Sequence, residues 1–406
     1  MKSSKQRIIF RRSPSNRLSF PVLLNVWESH GIDREFDIIV SDHLPKLNRG
    51  DVIAYSFMTP HAPDIHAEIR QINRPDILIV GGGPHIRGDR ELSFQMGFDV
   101  LFTGSGETAF LKFAGDLLDQ RIKKERKIYP GSGGRDELNR YFPISRYMKT
   151  LPPLEIMRGC NWRCTYCQTH RQTPAYRDLD SIHRHLGKLK KNKCKRINFV
   201  SPSALEYGAT KARQVDFDTI DSLLDMADSL EFELIEYGIF PSEIRPDTID
   251  DKAVQILKKY VANRRLTLGA QSGSDRRLRE LKRGHTGADI ERAVDIVNAH
   301  GFLANLDFIF GYPGETPEER KQTISFIRRL HRKYRIRAQS HYFFPLPGSA
   351  YAFRFPSFLS AEEKENLLYL KNSGMGTDQW QENEHQVSHY FTWLKHHFPT
   401  HLDHYT

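Results

Sequence analysis

Short apolar runs alternate with amphipathic stretches along most of the chain. In the first half, FDIIV (36–40), DVIAYSF (51–57), DILIVGG (76–82) and DVLFTG (99–104) are β-rich and almost continuously apolar. That pattern predicts strands buried on both faces. Between the second and third run, Ile65, Ile69 and Ile72 recur at helical spacing. The alternation predicts a parallel sheet covered by helices, a Rossmann-like α/β domain over residues 1–140. The stretch IYPGSGGRDELNRYFP (128–143) is rich in glycine and turn residues and reads as a linker.

From about residue 150 the pattern restarts. Six strand candidates follow in order: PLEIMRG, RINFVSP, FELIEYGIF, RLTLGAQSG, LANLDFIFG and RAQSHYFFP. Helical segments separate them. In one, Ile290, Ala293, Val294 and Val297 share a face, Thr286 caps the start, Asp289 completes a capping box and Gly301 ends it. In another, Thr316 caps, Pro317 takes the first helical position and Glu319 closes the box. Six successive β–α units over residues 150–355 predict a partial parallel (β/α)6 barrel, with chemistry in the loops after its strands. Residues 356–406 read as a helical, His-containing extension.

In an open parallel sheet, ligands sit beyond the carboxyl ends of the strands. Two glycine loops fall there in the first half, GGGPH (81–85) and GSGE (104–107). Glycine lets the backbone approach a ligand, and it equally serves a tight strand-to-helix turn.

Bulk properties narrow the classes. The 406 residues are 27% charged and 39% hydrophobic, with no apolar run long enough to span a membrane. The basic start, MKSSKQRIIFRRS, lacks the apolar stretch of a signal peptide, so a cytoplasmic protein is expected. The net charge of +10 is spread through IKKERK, KLKKNKCKR and RRLHRKYRIR. It describes a solvated basic surface or an anionic partner. Four cysteines form no disulfide framework and are expected as reduced thiols.

Three of the four crowd into RGCNWRCTYCQTH (158–170). Cys160, Cys164 and Cys167 have the spacing C-x3-C-x2-C, directly after the first barrel strand. So tight a loop wraps three thiolates around one small object. A zinc ion would take His170 as a fourth ligand, giving a basic nucleic-acid-binding module. A cubane iron–sulfur cluster with three protein thiolates would keep one iron open for substrate. Spacing alone does not choose. Cys194, in KKNKCKR, stands apart as a lone thiol.

The triple cysteine, with Tyr166 before its last member, resembles the radical S-adenosylmethionine (SAM) superfamily. FPSEIRPD (240–247), GAQSGSD (269–275), RGHT (283–286), DFIFGYPGET (307–316) and PLPGS (345–349) follow in the order seen in its branch with an N-terminal cobalamin-binding domain. GGGPHIRGDRELSFQMGFDVLFTGSGE resembles that domain as well. The resemblance implies a 4Fe-4S cluster on Cys160, Cys164 and Cys167. Its open iron is chelated by SAM. Reduction, by a donor of the flavodoxin or ferredoxin type, splits SAM to a 5′-deoxyadenosyl radical that takes hydrogen from an unactivated carbon. It further implies that Tyr166, Ser242, Arg245, Gln271, Gly311 and Gly314 contact SAM. Gly82, Gly83, His85, Gly104, Gly106 and Glu107 would contact cobalamin.

The sequence also departs from the pattern. The Gly-Gly-Glu after the second barrel strand, which holds the SAM amine in the family, is replaced by SPSALEYG, leaving Ser201, Ser203 or Glu206 as substitutes. The Asp-x-His-x-x-Gly motif of cobalamin proteins is missing from any suitable early loop, and His85 is not expected to ligate cobalt. No cysteine precedes Cys160, so the second cluster of methylthiotransferases cannot form. With cobalamin bound, the implied reaction is methyl transfer to carbon. Without it, rearrangement, ring formation or bond cleavage follows. The substrate itself is not legible.

Overall fold

A computed structural model describes residues 5–122, 124–148, 151, 153–169 and 173–406. The chain forms two compact units. The first comprises residues 1–153, 346–348 and 392–402, and the second holds the rest.

The first unit is built on a six-stranded parallel sheet. Its strands are β1 (Arg7–Arg11), β2 (Asp37–Ser41), β3 (Val52–Ser56), β4 (Leu78–Gly82), β5 (Val100–Thr103) and β6 (Lys127–Pro130). They lie in the order β2-β1-β3-β4-β5-β6. Four of them coincide with the apolar runs of the sequence. β1 does not, because RIIFR is bracketed by arginines, yet Ile8, Ile9 and Phe10 are fully buried at its centre. The supposed linker is a further correction. It contains β6 and a helix at Arg135–Arg140, and Tyr129 of β6 is buried in the core. Its glycines had masked a short strand whose register is set by pairing with β5.

Aromatic rings fill this core. The Trp27 ring stacks on Phe110 with centroids 4.4 Å apart, and its Nε1 donates to the Phe110 carbonyl. Phe10, Phe20, Phe102 and Phe113 close around them. Each ring pair of this kind adds about 0.5–1.5 kcal/mol beyond area burial.

The second unit carries the barrel strands: β7 (Leu154–Glu155), β10 (Arg196–Val200), β11 (Leu234–Glu236), β12 (Arg265–Gln271), β13 (Leu303–Phe310) and β14 (Ile336–Tyr342). β8 (Met157–Arg158) and β9 (Ala175–Tyr176) pair antiparallel and flank the cysteine loop. β7, β10 and β11 run parallel, as do β12, β13 and β14. A parallel bridge from Ile244 to Leu268 joins the two groups in chain order. This is the expected partial barrel.

Its strands alternate with period two. Leu266, Leu268, Leu306, Phe308 and Ala338 are buried on one face. Thr267, Asn305, Asp307, Gln339 and His341 share the other, with Thr267 opposite Asn305 and Asp307 opposite Gln339. Both capping boxes read from the sequence form: Thr286 with Asp289, and Thr316 with Glu319. The final stretch is helical at Ala361–Asn372 and Gln379–His397. No helix among the described residues is long and apolar enough to cross a membrane.

Candidate active site

The cysteine loop begins where β8 ends. Gly159 turns the chain there with φ +79°, a conformation open to glycine. Cys164 is buried, and Cys160 and Cys167 are partly exposed. The loop is held from outside. Thr165 N–H donates to Leu281 O at 3.1 Å, and Tyr351 N–H donates to Thr165 O at 3.0 Å. Cys167 closes a turn by donating its N–H to Cys164 O at 3.1 Å.

Burial raises the Cys160 thiol to about 11, and nearby Glu206, Cys167 and Cys164 add to the rise. A desolvated thiol among other thiols ionises only if a metal or cation compensates it. Cations are present. Arg283 is buried and donates from Nη1 to Cys164 Sγ at 3.4 Å and to Tyr166 OH at 3.1 Å. Its Nη2 donates to Gly269 O at 2.8 Å. The phenol and thiol beside it hold its charge firmly, and burial opposes them. Arg245, also buried, pairs with Asp247 and donates to the Arg283 carbonyl.

These features suit an anionic iron–sulfur cluster with a polar ligand beside it. Three thiol donors lie on one loop, with the buried Arg283 guanidinium against Cys164 Sγ. Thr165 Oγ1, Gln168 Oε1, Gln271 Oε1 and Ser203 Oγ are buried without hydrogen-bond partners. Among the described residues, no three or more His, Cys, Asp or Glu side chains converge as around a single ion. His170, the fourth donor of the zinc alternative, lies outside the described residues.

The other expected contact residues divide. Gln271 ends β12 at φ +70°, where the register with β13 breaks, and its Oε1 is unpartnered. Gly311 and Gly314 shape the turn after β13, at φ +80° and +67°. Arg277 holds that turn through Pro313 O and Gly314 O. The Tyr166 ring packs against Tyr312 with centroids 5.5 Å apart, in a cluster with Leu281 and Phe343. Ser242 is committed to its own turn, donating from Oγ to Ile239 O. Arg245, expected to contact SAM, lies beside the cysteine loop. Its guanidinium stacks on the Trp162 ring, 3.4 Å from the centroid, and pairs with Asp247.

Of the three substitutes for the missing Gly-Gly-Glu, Glu206 accepts from Trp162 Nε1 at 2.9 Å on both oxygens. Ser201 donates to Ser203 O. Ser203 alone keeps an unpartnered hydroxyl.

Sequence reading missed Trp162, Arg277 and Arg283. The signals were there: RGHT places an arginine two residues from His285, and a tryptophan stands between the first two cysteines.

In the first unit, β4 and β5 are neighbours, so Gly82–Gly83 and Gly104–Gly106 lie side by side at the carboxyl edge. A Cβ on Gly83, at φ +98°, would stand 2.7 Å from Phe57 N. One on Gly104 would stand 2.6 Å from Gly131 O, and one on Gly106 2.9 Å from Leu23. These glycines serve close packing of the loops. His85 is fully buried, stacked on Phe57 and bonded to Thr59, and desolvation pulls it down to about 4. Its Nε2 has no hydrogen-bond partner. Glu107 is buried at the start of the helix that follows.

Comparison with known proteins agrees with this geometry. A protein of Methanocaldococcus jannaschii is 27% identical over 281 residues, covering 65% of this chain and 58% of that protein. A tRNA-2-methylthio-N(6)-dimethylallyladenosine synthase of Mannheimia succiniciproducens is 29% identical over 226 residues, 53% of this chain and 45% of the synthase. The chain thus spans little more than half the length of the first relative and under half of the second. The fold resembles the radical S-adenosylmethionine methyltransferase TsrM of Kitasatospora setae, solved with cobalamin and a [4Fe-4S] cluster. The TM-score is 0.61 at 14% identity, over 86% of this chain and 77% of TsrM. Residues 154–327 match the model of the Radical SAM superfamily, and over that stretch the chain is similar to its members.

Proposed function

We propose that this protein cleaves S-adenosylmethionine reductively at one 4Fe-4S cluster and uses the radical to take hydrogen from its substrate. The observation that carries the reading is the loop of Cys160, Cys164 and Cys167, with buried Arg283 donating to Cys164 Sγ. When bound, the cluster supplies the electron that breaks the sulfonium–C5′ bond. The chain's own groups do the rest. Arg283 and Arg245 offset negative charge on the thiolates. Gln271 Oε1, Ser203 Oγ and the Gly311–Gly314 turn supply polar and backbone contacts for the nucleoside. Tyr166, Tyr312 and Phe343 exclude water behind it.

The electron comes from a partner of the flavodoxin or ferredoxin type, and the net charge of +10 favours an anionic substrate. Cobalamin extends the reading to methyl transfer. The carboxyl-edge loops at Gly82–Gly83 and Gly104–Gly106 would cradle it, with His85 taking no part at cobalt.

Anaerobic reconstitution tests the proposal. Expected are thiolate-to-iron absorption, a reduced-state paramagnetic signal perturbed by SAM, and 5′-deoxyadenosine as product. A colourless protein that retains only zinc overturns it. Hydroxocobalamin surviving gel filtration supports methyl transfer, and its loss leaves hydrogen abstraction alone.

A further inference from the structure

Trp162 stands between Cys160 and Cys164 and is held on every side that its surroundings offer. Its Nε1 points at buried Glu206, 2.9 Å from each carboxylate oxygen. The Arg245 guanidinium lies 3.4 Å above its ring, and that of Arg213 lies 5.7 Å away. Arg213 N–H also donates to Glu206 Oε1 at 2.7 Å, and its Nε to Asp247 at 3.0 Å. Asp247 in turn fixes Arg245. At Gly284, φ +74°, a Cβ would stand 2.6 Å from Trp162 Cζ3, so the backbone there packs closely against the indole.

This arrangement is expensive to maintain without a purpose. Glu206 is 1% exposed, and a buried carboxylate costs several kcal/mol unless donors meet it. Here the donors are the indole N–H and a backbone N–H. A tryptophan filling space needs no carboxylate. One whose N–H is caught by a buried anion and whose face is caught by a cation has a fixed orientation. Because it lies between two thiols, fixing the ring fixes the turn that sets their separation.

We propose that Trp162 is a positioning residue for the cysteine loop, clamped by Glu206 and Arg245 so that Cys160, Cys164 and Cys167 meet one cluster. This rests on the function proposed above. It also accounts for Glu206: the carboxylate that stands where the family's SAM-amine ligand is expected is committed to the loop. Outer-shell groups of this kind typically govern affinity by 10–100-fold.

The test uses the full chain, reconstituted anaerobically with iron and sulfide, and Trp162→Phe, Glu206→Ala and Glu206→Gln. The readouts are iron per chain, the rate of cluster loss to a chelator, the paramagnetic spectrum of the reduced form, and the melting temperature of the metal-free protein. Trp162→Phe keeps one aromatic ring for Arg245 to stack on and loses the N–H together with the second ring of the indole. It and Glu206→Ala are expected to lose the cluster roughly tenfold faster, with altered g-values. Glu206→Gln, whose amide oxygen still accepts from the indole, restores most of the retention. Wild-type retention and an unchanged spectrum in Trp162→Phe overturn the proposal. So does failure of Glu206→Gln to differ from Glu206→Ala. Loss of cluster matched by an equal fall in metal-free melting temperature assigns the clamp to folding and overturns it too. If the wild-type chain itself takes no cluster, the proposed function fails and not the clamp alone.

Discussion

The buried guanidinium of Arg283 donates a hydrogen bond to the sulfur of Cys164, 119 positions earlier in the chain, at 3.4 Å. The same group reaches Tyr166 OH and Gly269 O, so it is held by both the cysteine loop and β12 and has little freedom to swing away. Hydrogen bonds to ligand sulfurs withdraw electron density and favour the reduced cluster.

Arg283→Gln should therefore lower the midpoint potential of the reconstituted cluster and slow 5′-deoxyadenosine formation by roughly 10–100-fold. Arg283→Lys, keeping the charge without the planar fork, should fall between the two. A redox titration followed by electron paramagnetic resonance reads the shift. An unchanged potential in Arg283→Gln would remove Arg283 from any role in tuning.

Gly311 and Gly314 make a second, paired prediction. Both have positive φ, but a Cβ on Gly311 would lie 2.3 Å from the Tyr342 ring, whereas one on Gly314 meets nothing within 4 Å. Gly311→Ala adds overlap to backbone strain and should cost about 2–4 kcal/mol. Gly314→Ala carries the strain alone, about 1–2 kcal/mol. Chemical denaturation of the two variants should rank them in that order, and equal losses would contradict the packing of Tyr342 against the turn.

How much of this was legible in the chain depends on range. The six barrel strands and both capping boxes are local: apolar runs and a threonine three residues before an acid carry them whatever the tertiary setting. β1 and β6 failed locally, because arginines bracket one and glycines surround the other, and their burial comes from neighbouring strands. The cysteines announced themselves by spacing. The clamp on Trp162 did not, since Glu206, Arg245 and Gly284 reach it only when the chain has closed the barrel. For the same reason the contacts of Arg245 with Asp247 and Trp162 were not legible in the chain.

Glu315 should give the barrel unit a distinctive pH dependence. Burial raises its carboxyl to about 7, against the pull of Gly311 N–H and Arg320. An unfolded glutamate titrates near 4.3. Between those values the unfolded chain sheds a proton that the folded chain keeps, so this group's contribution to stability is full below about pH 4.3 and is lost as pH rises toward about 7. The loss is on the order of 3 kcal/mol. Glu315→Gln cannot ionise, so the difference in unfolding free energy between variant and wild type should grow in the variant's favour across that window. A difference that stays constant with pH would show Glu315 ionised in the folded protein.

Asp307 and Glu243 carry the last prediction. Burial and the Glu243 charge hold the Asp307 carboxyl well above its usual range, and burial raises Glu243 while Arg283 opposes it. Asp307 Oδ1 has no hydrogen-bond partner, and the nearest basic nitrogen, His341 Nε2, is 4.0 Å away. Two such carboxyls share a site best when one stays protonated. For stability alone an amide would serve better at either position, so Asp307 on the polar face of β13, with Glu243 beside it from the segment before β12, is a candidate for contact with a ligand. Asp307→Asn should therefore stabilise the unit by about 1–2 kcal/mol while slowing turnover by roughly 100-fold or more. Thermal melts and product formation on the same preparation decide it. A variant less stable than wild type with normal turnover would mean that the acid is part of the packing and nothing more.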